Sequence, residues 1–300
     1  MRKFIFLTFL LIFANLSIFA QDEETITVES SIVVLNATIT DQNGKAVAGL
    51  KQTQFKVFED GKEQTFEFFG TEQTPFAAVI LLDTSGSMET RISMARSAAI
   101  TFLDGLRVDD NAAIYNFDYK VSLVQDFSNS RDITDKIFDL KANGMTVLND
   151  AIYEAAEVLS KRSEKRKAII VISDGADTKS KHSESKALKA AIASGATIYT
   201  VDMSSADMDG RERMQSQSAL KNFAEKSGGK FIAASGGTAL REAFTEIVGE
   251  LGSQYTLTYS PTNTTKDGKW RAIELRVAKP NLTIRTRKGY FAPKSQNKER

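Results

Sequence analysis

The stretch Phe76-Ala-Ala-Val-Ile-Leu-Leu-Asp-Thr-Ser-Gly-Ser87 decides the fold of this chain of 300 residues. Residues 76–82 are all apolar, which is the pattern of a strand buried on both faces of a parallel sheet. The polar residues 83–87 follow at once, and apolar side chains then recur at helical spacing from Ile92. We therefore predict a central strand, a polar loop at its carboxyl end and a helix.

Strand-like and helix-like segments continue to alternate as far as residue 251. Further strands are predicted over residues 112–117, 168–172, 198–201 and 231–233, and further helices over 151–159, 185–193, 219–226 and 240–251. Alternation of this kind predicts an α/β fold with a doubly wound, mostly parallel sheet and helices on both of its faces.

The regions on both sides of this alternating part have a period of two. Between residues 26 and 70, and again between 255 and 284, apolar and polar residues alternate and turn sequences separate the runs. Neither region has enough strands for a core of its own, but together they offer about six or seven. We predict that residues 25–72 and 253–294 form one small β-sandwich into which the α/β domain, residues 73–252, is inserted. Residues 295–300 are predicted to be a tail.

The first residues predict export. Arg2 and Lys3 precede an apolar stretch over residues 4–19, and Ala20 is followed by a polar run. This is the arrangement of a secretory signal peptide, predicted here over residues 1–20, and an uncleaved membrane anchor is the alternative. We expect a periplasmic or secreted protein with no integral membrane span after removal of the signal.

The composition excludes several classes of function. The chain has 39 Lys and Arg against 38 Asp and Glu, so it lacks the basic surplus that nucleic-acid binding needs. It has no cysteine and one histidine, which excludes disulfides, thiol catalysis and zinc sites built from Cys or from several His. We expect His182 to be an ordinary surface histidine. Arg285, Arg287 and Lys288 are expected to form a solvated strand face.

The candidate chemistry lies in the loop after the first buried strand. Asp83, Ser85 and Ser87 offer one carboxylate and two hydroxyls at alternate positions. Thr146 precedes a predicted helix and Asp174 follows another buried strand, so we expect both at the same edge of the sheet, where open α/β sheets bind ligands. Oxygen donors of this kind suit Mg²⁺, Mn²⁺ or Ca²⁺ and disfavour zinc or copper.

These five residues resemble the metal-ion-dependent adhesion site of the von Willebrand factor A domain, whose motif is Asp-x-Ser-x-Ser with a distant Thr and a distant Asp. The flanks at residues 57–61 and 287–293 resemble an exported bacterial subgroup of that family. The resemblance implies a bound divalent cation, Mg²⁺ foremost. It also implies that Ser85, Ser87 and Thr146 contact the ion, while Asp83 and Asp174 act largely through water.

The resemblance further implies a module for metal-dependent protein–protein interaction or adhesion, whose partner offers an Asp or Glu carboxylate to the cation. Two alternatives remain. A Mg²⁺-dependent hydrolase or phosphotransferase would use Asp83 as its nucleophile, but positions 85 and 87 carry hydroxyls and no acid–base pair is evident. A structural envelope protein would use the metal for stability alone. We expect a binding protein rather than an enzyme.

Overall fold

The computed structural model describes residues 32–71, 74–130, 135–142, 144–175, 177–204 and 209–295. The predicted signal peptide, residues 1–20, and the predicted tail, residues 295–300, apart from Ser295, lie outside these ranges, so both stay predictions. Within the described ranges, no helix combines the length and the apolar character that crossing a membrane requires.

The strands and helices have the following bounds. The strands are β1 (Val33–Thr40), β2 (Phe55–Glu59), β3 (Lys62–Gln64), β4 (Phe68–Gly70), β5 (Phe76–Asp83), β6 (Asn111–Phe117), β7 (Val121–Ser128), β8 (Arg166–Ser173), β9 (Ala196–Asp202), β10 (Phe231–Ala233), β11 (Tyr255–Tyr259), β12 (Trp270–Val277), β13 (Thr283–Arg285) and β14 (Gly289–Phe291). The helices are α1 (Ile92–Asp104), α2 (Leu148–Ser160), α3 (Glu184–Ser194), α4 (Gly210–Ser227) and α5 (Gly237–Ser253).

The alternating part of the chain forms a six-stranded sheet in the order β10-β9-β8-β5-β6-β7. Neighbouring strands are parallel except at one edge, where β7 pairs antiparallel with β6. The predicted α/β fold class with a mostly parallel sheet is therefore confirmed. Strand β7 was not predicted from the sequence, because Gln125 and Asp126 interrupt its apolar pattern and its pairing with β6 contains register shifts.

The central strand β5 supplies both hydrophobic cores. Its alternate residues point to opposite faces of the sheet: Ala77, Val79 and Leu81 to one core, and Ala78, Ile80 and Leu82 to the other. Helices α2, α3 and α4 cover the first face, and α1 and α5 cover the second. Burial on both faces explains why the run from residue 76 to 82 is uninterrupted.

Strands from both ends of the chain form two further sheets, both antiparallel. Their orders are β13-β1-β11-β4 and β14-β12-β2-β3, so each combines strands that precede and follow the central sheet. The two sheets pack face to face, and the ring of Phe55 lies 5.1 Å from the rings of both Phe69 and Tyr255. The described residues thus hold eight flanking strands, rather than six or seven. The exact domain boundaries stay a prediction.

Arg166 joins the central sheet to the flanking sheets. It is fully buried at the start of β8, and its guanidinium donates hydrogen bonds to the hydroxyl of Thr256 at 2.8 Å and to four backbone carbonyls. The carbonyls belong to Thr71, Thr74, Leu251 and Gln254. These residues lie in the two segments through which the chain enters and leaves the central sheet, so one side chain fixes both crossings.

The expectation that Arg285, Arg287 and Lys288 form a solvated face is wrong for the two arginines. Arg287 is buried, and its guanidinium donates a hydrogen bond to the carbonyl of Ile192 in α3 at 2.9 Å. Arg285 forms an ion pair with Glu250 in α5. Because both partners are distant in sequence, the local charge pattern could not reveal them.

We expect Arg166→Met to lower the free energy of unfolding by roughly 2–4 kcal/mol, because the substitution leaves several buried carbonyls without a donor. The matched control is Arg276→Met. Arg276 pairs with Glu274 on the surface, where both side chains are more than half exposed, and its loss should cost less than about 0.5 kcal/mol. Urea denaturation followed by circular dichroism measures both values. Equal losses would contradict the role of Arg166 at the junction.

Candidate functional site

The predicted site residues lie at the carboxyl edge of the central sheet. Asp83 is the last residue of β5, and Asp174 directly follows the neighbouring parallel strand β8. Ser85 and Ser87 lie in the loop between β5 and α1, and Thr146 lies just before α2. The structure therefore brings the loops that carry all five residues to one edge, as the alternation of strands and helices requires.

Asp83 is fully buried and is held from two sides. One carboxylate oxygen accepts a hydrogen bond from the backbone N–H of Ser85 at 2.8 Å, and the other accepts one from the hydroxyl of Ser173. Burial raises the pKa of Asp83 to about 7, against the opposing effect of these hydrogen bonds. The nearby carboxylate of Asp174 also contributes to this raised pKa. The ionised form of Asp83 therefore lacks sufficient positive charge around it.

Ser173 is a site residue that the sequence analysis missed. Besides donating to Asp83, its hydroxyl accepts a hydrogen bond from the backbone N–H of Gly175 at 2.9 Å. It thereby links the loop after β5 to the loop after β8. The one available signal was its place directly before Asp174 at the end of a buried strand.

The two serines of the loop contact each other. The hydroxyl oxygens of Ser85 and Ser87 lie 3.1 Å apart, with Ser85 buried and Ser87 exposed. Between them, the N–H of Gly86 donates to the carbonyl of Gly144 at 3.3 Å. A side chain at position 86 would bring its Cβ to 3.5 Å from that carbonyl. The hydroxyls therefore sit on a loop that is fastened to the Thr146 loop.

Thr146 is buried and is positioned through its backbone. Its N–H donates to the hydroxyl of Thr178 at 3.0 Å, and its carbonyl accepts from the N–H groups of Thr178 and Lys179 at 2.9 and 3.2 Å. Within the described residues, no hydrogen bond joins its side chain to the other four candidates. The loop after β8 thus fixes the backbone of Thr146, while the Thr146 hydroxyl makes no hydrogen bond to the other four candidate residues.

Asp174 is the least satisfied group of the site. Its carboxylate is fully buried, and neither oxygen accepts a hydrogen bond. Among the described residues, the one ionic contact of Asp174 is with Arg91, whose Nη1 lies 3.9 Å from Oδ2 of Asp174. No cluster of three or more His, Cys, Asp or Glu that could hold a metal occurs in the described ranges, so any cation here would rely on hydroxyls as well as carboxylates.

His182 is more than an ordinary surface histidine. Its side chain is 27% exposed, its ring stacks on Tyr153 at 4.0 Å, and its Nδ1 lies 2.7 Å from a carboxylate oxygen of Asp150. Burial alone would raise the pKa of Asp150, but hydrogen bonds from the backbone of Lys181 and His182 and from the His182 ring lower it. These contacts hold the loop after β8 against the first turn of α2, next to Thr146.

The comparisons with known proteins agree with the fold of the central sheet. Residues 78–176 match the family model of the von Willebrand factor type A domain, which is a match over about a third of the chain. Uncharacterized protein sll0103 of Synechocystis sp. is 28% identical over 146 residues, which is 47% of this chain and 34% of the relative. The chain therefore spans about a third of the length of that curated relative.

Solved structures with this fold come from several bacteria. One is the von Willebrand factor type A structure from Catenulispora acidiphila, with a TM-score of 0.51, 14% identity, and coverage of 90% of this chain and 76% of that one. Another is the vWF domain of the type V pili tip protein Mfa5 from Porphyromonas gingivalis, with a TM-score of 0.50, 14% identity, and coverage of 59% and 94%. A third is the pilus adhesin SpaC from Lactobacillus rhamnosus GG, with a TM-score of 0.51, 11% identity, and coverage of 80% and 48%. At such identities the likeness concerns the fold.

We expect Ser173→Ala to lower the free energy of unfolding in EDTA by about 1–2 kcal/mol, because it removes the donor to a buried carboxylate and the acceptor for the Gly175 N–H. Ser160→Ala is the control, since the Ser160 hydroxyl is exposed and donates to the carbonyl of Glu157 at 2.7 Å. Urea denaturation measures both variants. If Ser173→Ala proves as stable as Ser160→Ala, Ser173 does not support the site.

Proposed function

We propose that this chain is an exported protein whose von Willebrand factor type A domain binds a divalent cation, Mg²⁺ foremost, and uses it to hold a carboxylate of a protein partner. One observation carries the proposal: the Asp174 carboxylate is fully buried and neither of its oxygens accepts a hydrogen bond. A buried charge of this kind is costly in free energy, and a cation beside it offsets that cost.

The side chains at the site fit such an ion. The proposed ligands are Asp83, Ser85, Ser87, Thr146 and Asp174. They supply oxygen atoms only, from two carboxylates and three hydroxyls, and Mg²⁺, Mn²⁺ and Ca²⁺ take oxygen ligands. Burial raises the pKa of Asp83 and the charge of Asp174 adds to this effect, so a cation at this place would favour the ionised carboxylates.

The chain's own residues make the site receptive to a partner. When bound, the cation supplies a positive centre that attracts an external carboxylate. The hydroxyls of Ser85, Ser87 and Thr146 are neutral, so they orient the ion without reducing its charge. Ser87 is exposed, and a partner can therefore approach from its side. The Ser173 hydroxyl holds Asp83 in place without adding charge.

We expect millimolar Mg²⁺ or Mn²⁺ to stabilise the protein, because the proposed ligands converge only in the folded state. At a free ion concentration of about 100 times the dissociation constant the gain is roughly 2.7 kcal/mol. Asp174→Asn should abolish this gain. Asp110→Asn should keep it, since Asp110 is a buried carboxylate that bonds to Arg107 just before β6, at the opposite edge of the sheet.

Thermal denaturation with and without EDTA measures these shifts. The comparison within each variant separates the effect of the ion from any general loss of stability in Asp110→Asn. A wild-type protein whose melting temperature is the same in Mg²⁺, Mn²⁺ and EDTA would contradict the proposed metal site.

Adhesion or assembly outside the cytoplasm is the role that we propose for the site. The similar structures include a pili tip protein and a pilus adhesin, and these names support a surface role. The predicted signal peptide over residues 1–20 supports export. One observation favours binding over catalysis: the central loop carries hydroxyls at positions 85 and 87, where a phosphotransfer enzyme usually has a Lys and a second carboxylate beside its nucleophile.

Partner binding should require both the cation and an acidic group on the partner. Immobilised wild-type protein and Asp110→Asn should retain the same envelope proteins in Mg²⁺, whereas EDTA or Asp174→Asn should release them. Converting the carboxylates of the extract to amides with carbodiimide and ethanolamine should also prevent retention. Mass spectrometry of the eluted proteins provides the readout. Metal-dependent stability without any metal-dependent retention would favour the structural alternative, and retention that persists in EDTA would contradict the proposal.

A further inference from the structure

Arg91 occupies an unusual place beside the candidate site. It lies directly before α1, and its backbone is fixed because its N–H donates to the Met88 carbonyl at 2.8 Å and its carbonyl accepts from the N–H of Ala95 at 3.0 Å. Its guanidinium donates to the carbonyl of Ser87 at 3.4 Å. The side chain is only 16% exposed. The head group is therefore directed toward the loop of the proposed ligands and away from bulk water.

The contact between Arg91 and Asp174 is ionic but loose. Nη1 of Arg91 lies 3.9 Å from Oδ2 of Asp174, which is too far for a hydrogen bond. Both carboxylate oxygens of Asp174 therefore remain without a donor. Among the described residues, this is the one ion pair that involves any of the five proposed ligands. Asp174 is thus an entirely buried carboxylate, and its one ionic contact among the described residues is with a single guanidinium at the limit of ion-pair distance.

A guanidinium in this position has opposite effects on the two states of the site. In the metal-free protein it partly offsets the charge of Asp174 and so stabilises the fold. When a divalent cation binds to the same carboxylate, two positive groups lie side by side and repel each other. Charges of +1 and +2 about 6 Å apart, even with the screening of bulk water, lower the affinity about tenfold.

We propose that Arg91 is the resident counter-ion of Asp174 in the metal-free protein and competes with the divalent cation for it. This inference rests on the proposed metal site and adds the residue that sets its affinity. The guanidinium is held by one carbonyl and one loose ionic contact, so it gives up its contact with Asp174 when the cation arrives. Its fixed backbone still keeps it within roughly 6 Å of the ion, where the repulsion acts. Arg91 therefore keeps the empty site folded and limits how tightly the site holds its ion.

The test is the affinity of purified protein for Mn²⁺, measured by titration calorimetry, together with urea denaturation in EDTA. Arg91→Met should bind Mn²⁺ about tenfold more tightly than the wild type and should unfold at lower urea in EDTA. Arg91→Lys keeps the charge and should bind within about threefold of the wild type. Arg241→Met removes a positive charge from the exposed face of α5 and should leave both quantities unchanged.

The Mn²⁺ titrations separate a failure of the competition from a failure of the metal site. If Arg91→Met binds Mn²⁺ with the affinity of the wild type or more weakly, the competition is disproved while the metal site stands. If the wild type binds no Mn²⁺, the proposed function fails and this inference fails with it. Where Arg91→Met does not fold in EDTA, Arg91→Gln takes its place in the titration, since its amide retains a donor for the Ser87 carbonyl but carries no charge.

Discussion

Two buried carboxylates that face too little positive charge are the constraint on which the rest of the structure depends. Asp83 and Asp174 end neighbouring parallel strands, so the sheet itself holds them close together. Asp83 accepts two hydrogen bonds and still has a raised pKa, and Asp174 accepts none. A fold tolerates such a cost only where the surrounding core is large, and here the apolar cores on both faces of the sheet supply the stability.

The loops around these carboxylates are held to one another before any ligand is present. Gly86 bonds to Gly144, Thr146 bonds to Thr178, and Asp150 holds the loop after β8 through His182. A binding site that is fixed in this way loses little conformational entropy when an ion or a partner binds. The same contacts explain why side chains of three separate segments arrive at one edge of the sheet.

Much of this architecture could be predicted from the sequence, because the deciding features are local. The apolar run before Asp83 specifies a strand buried on both faces, and a polar loop after such a strand must lie at the carboxyl edge of the sheet. The pairing of the two period-two regions followed from their size, since neither could form a core alone. The strand β7 was missed because its pattern is interrupted by polar residues and register shifts.

The features that the sequence did not reveal depend on contacts between distant residues. Arg166 and Arg287 look like surface charges in sequence, yet each is buried against carbonyls at least 85 positions away. Ser173 and Arg91 belong to no part of the recognised motif. Their roles follow from the position of a buried carboxylate, which only the fold reveals.

A crystal structure of the protein grown with Mn²⁺ and measured for anomalous scattering tests the central claim most directly. We expect one strong anomalous peak between β5 and β8, with the hydroxyl oxygens of Ser85 and Ser87 at about 2.0–2.3 Å from the ion. The Asp174 carboxylate should then face the ion or its bound water rather than Arg91. A map from crystals in saturating Mn²⁺ with no peak there would contradict the claim that this carboxylate pair is built for a cation.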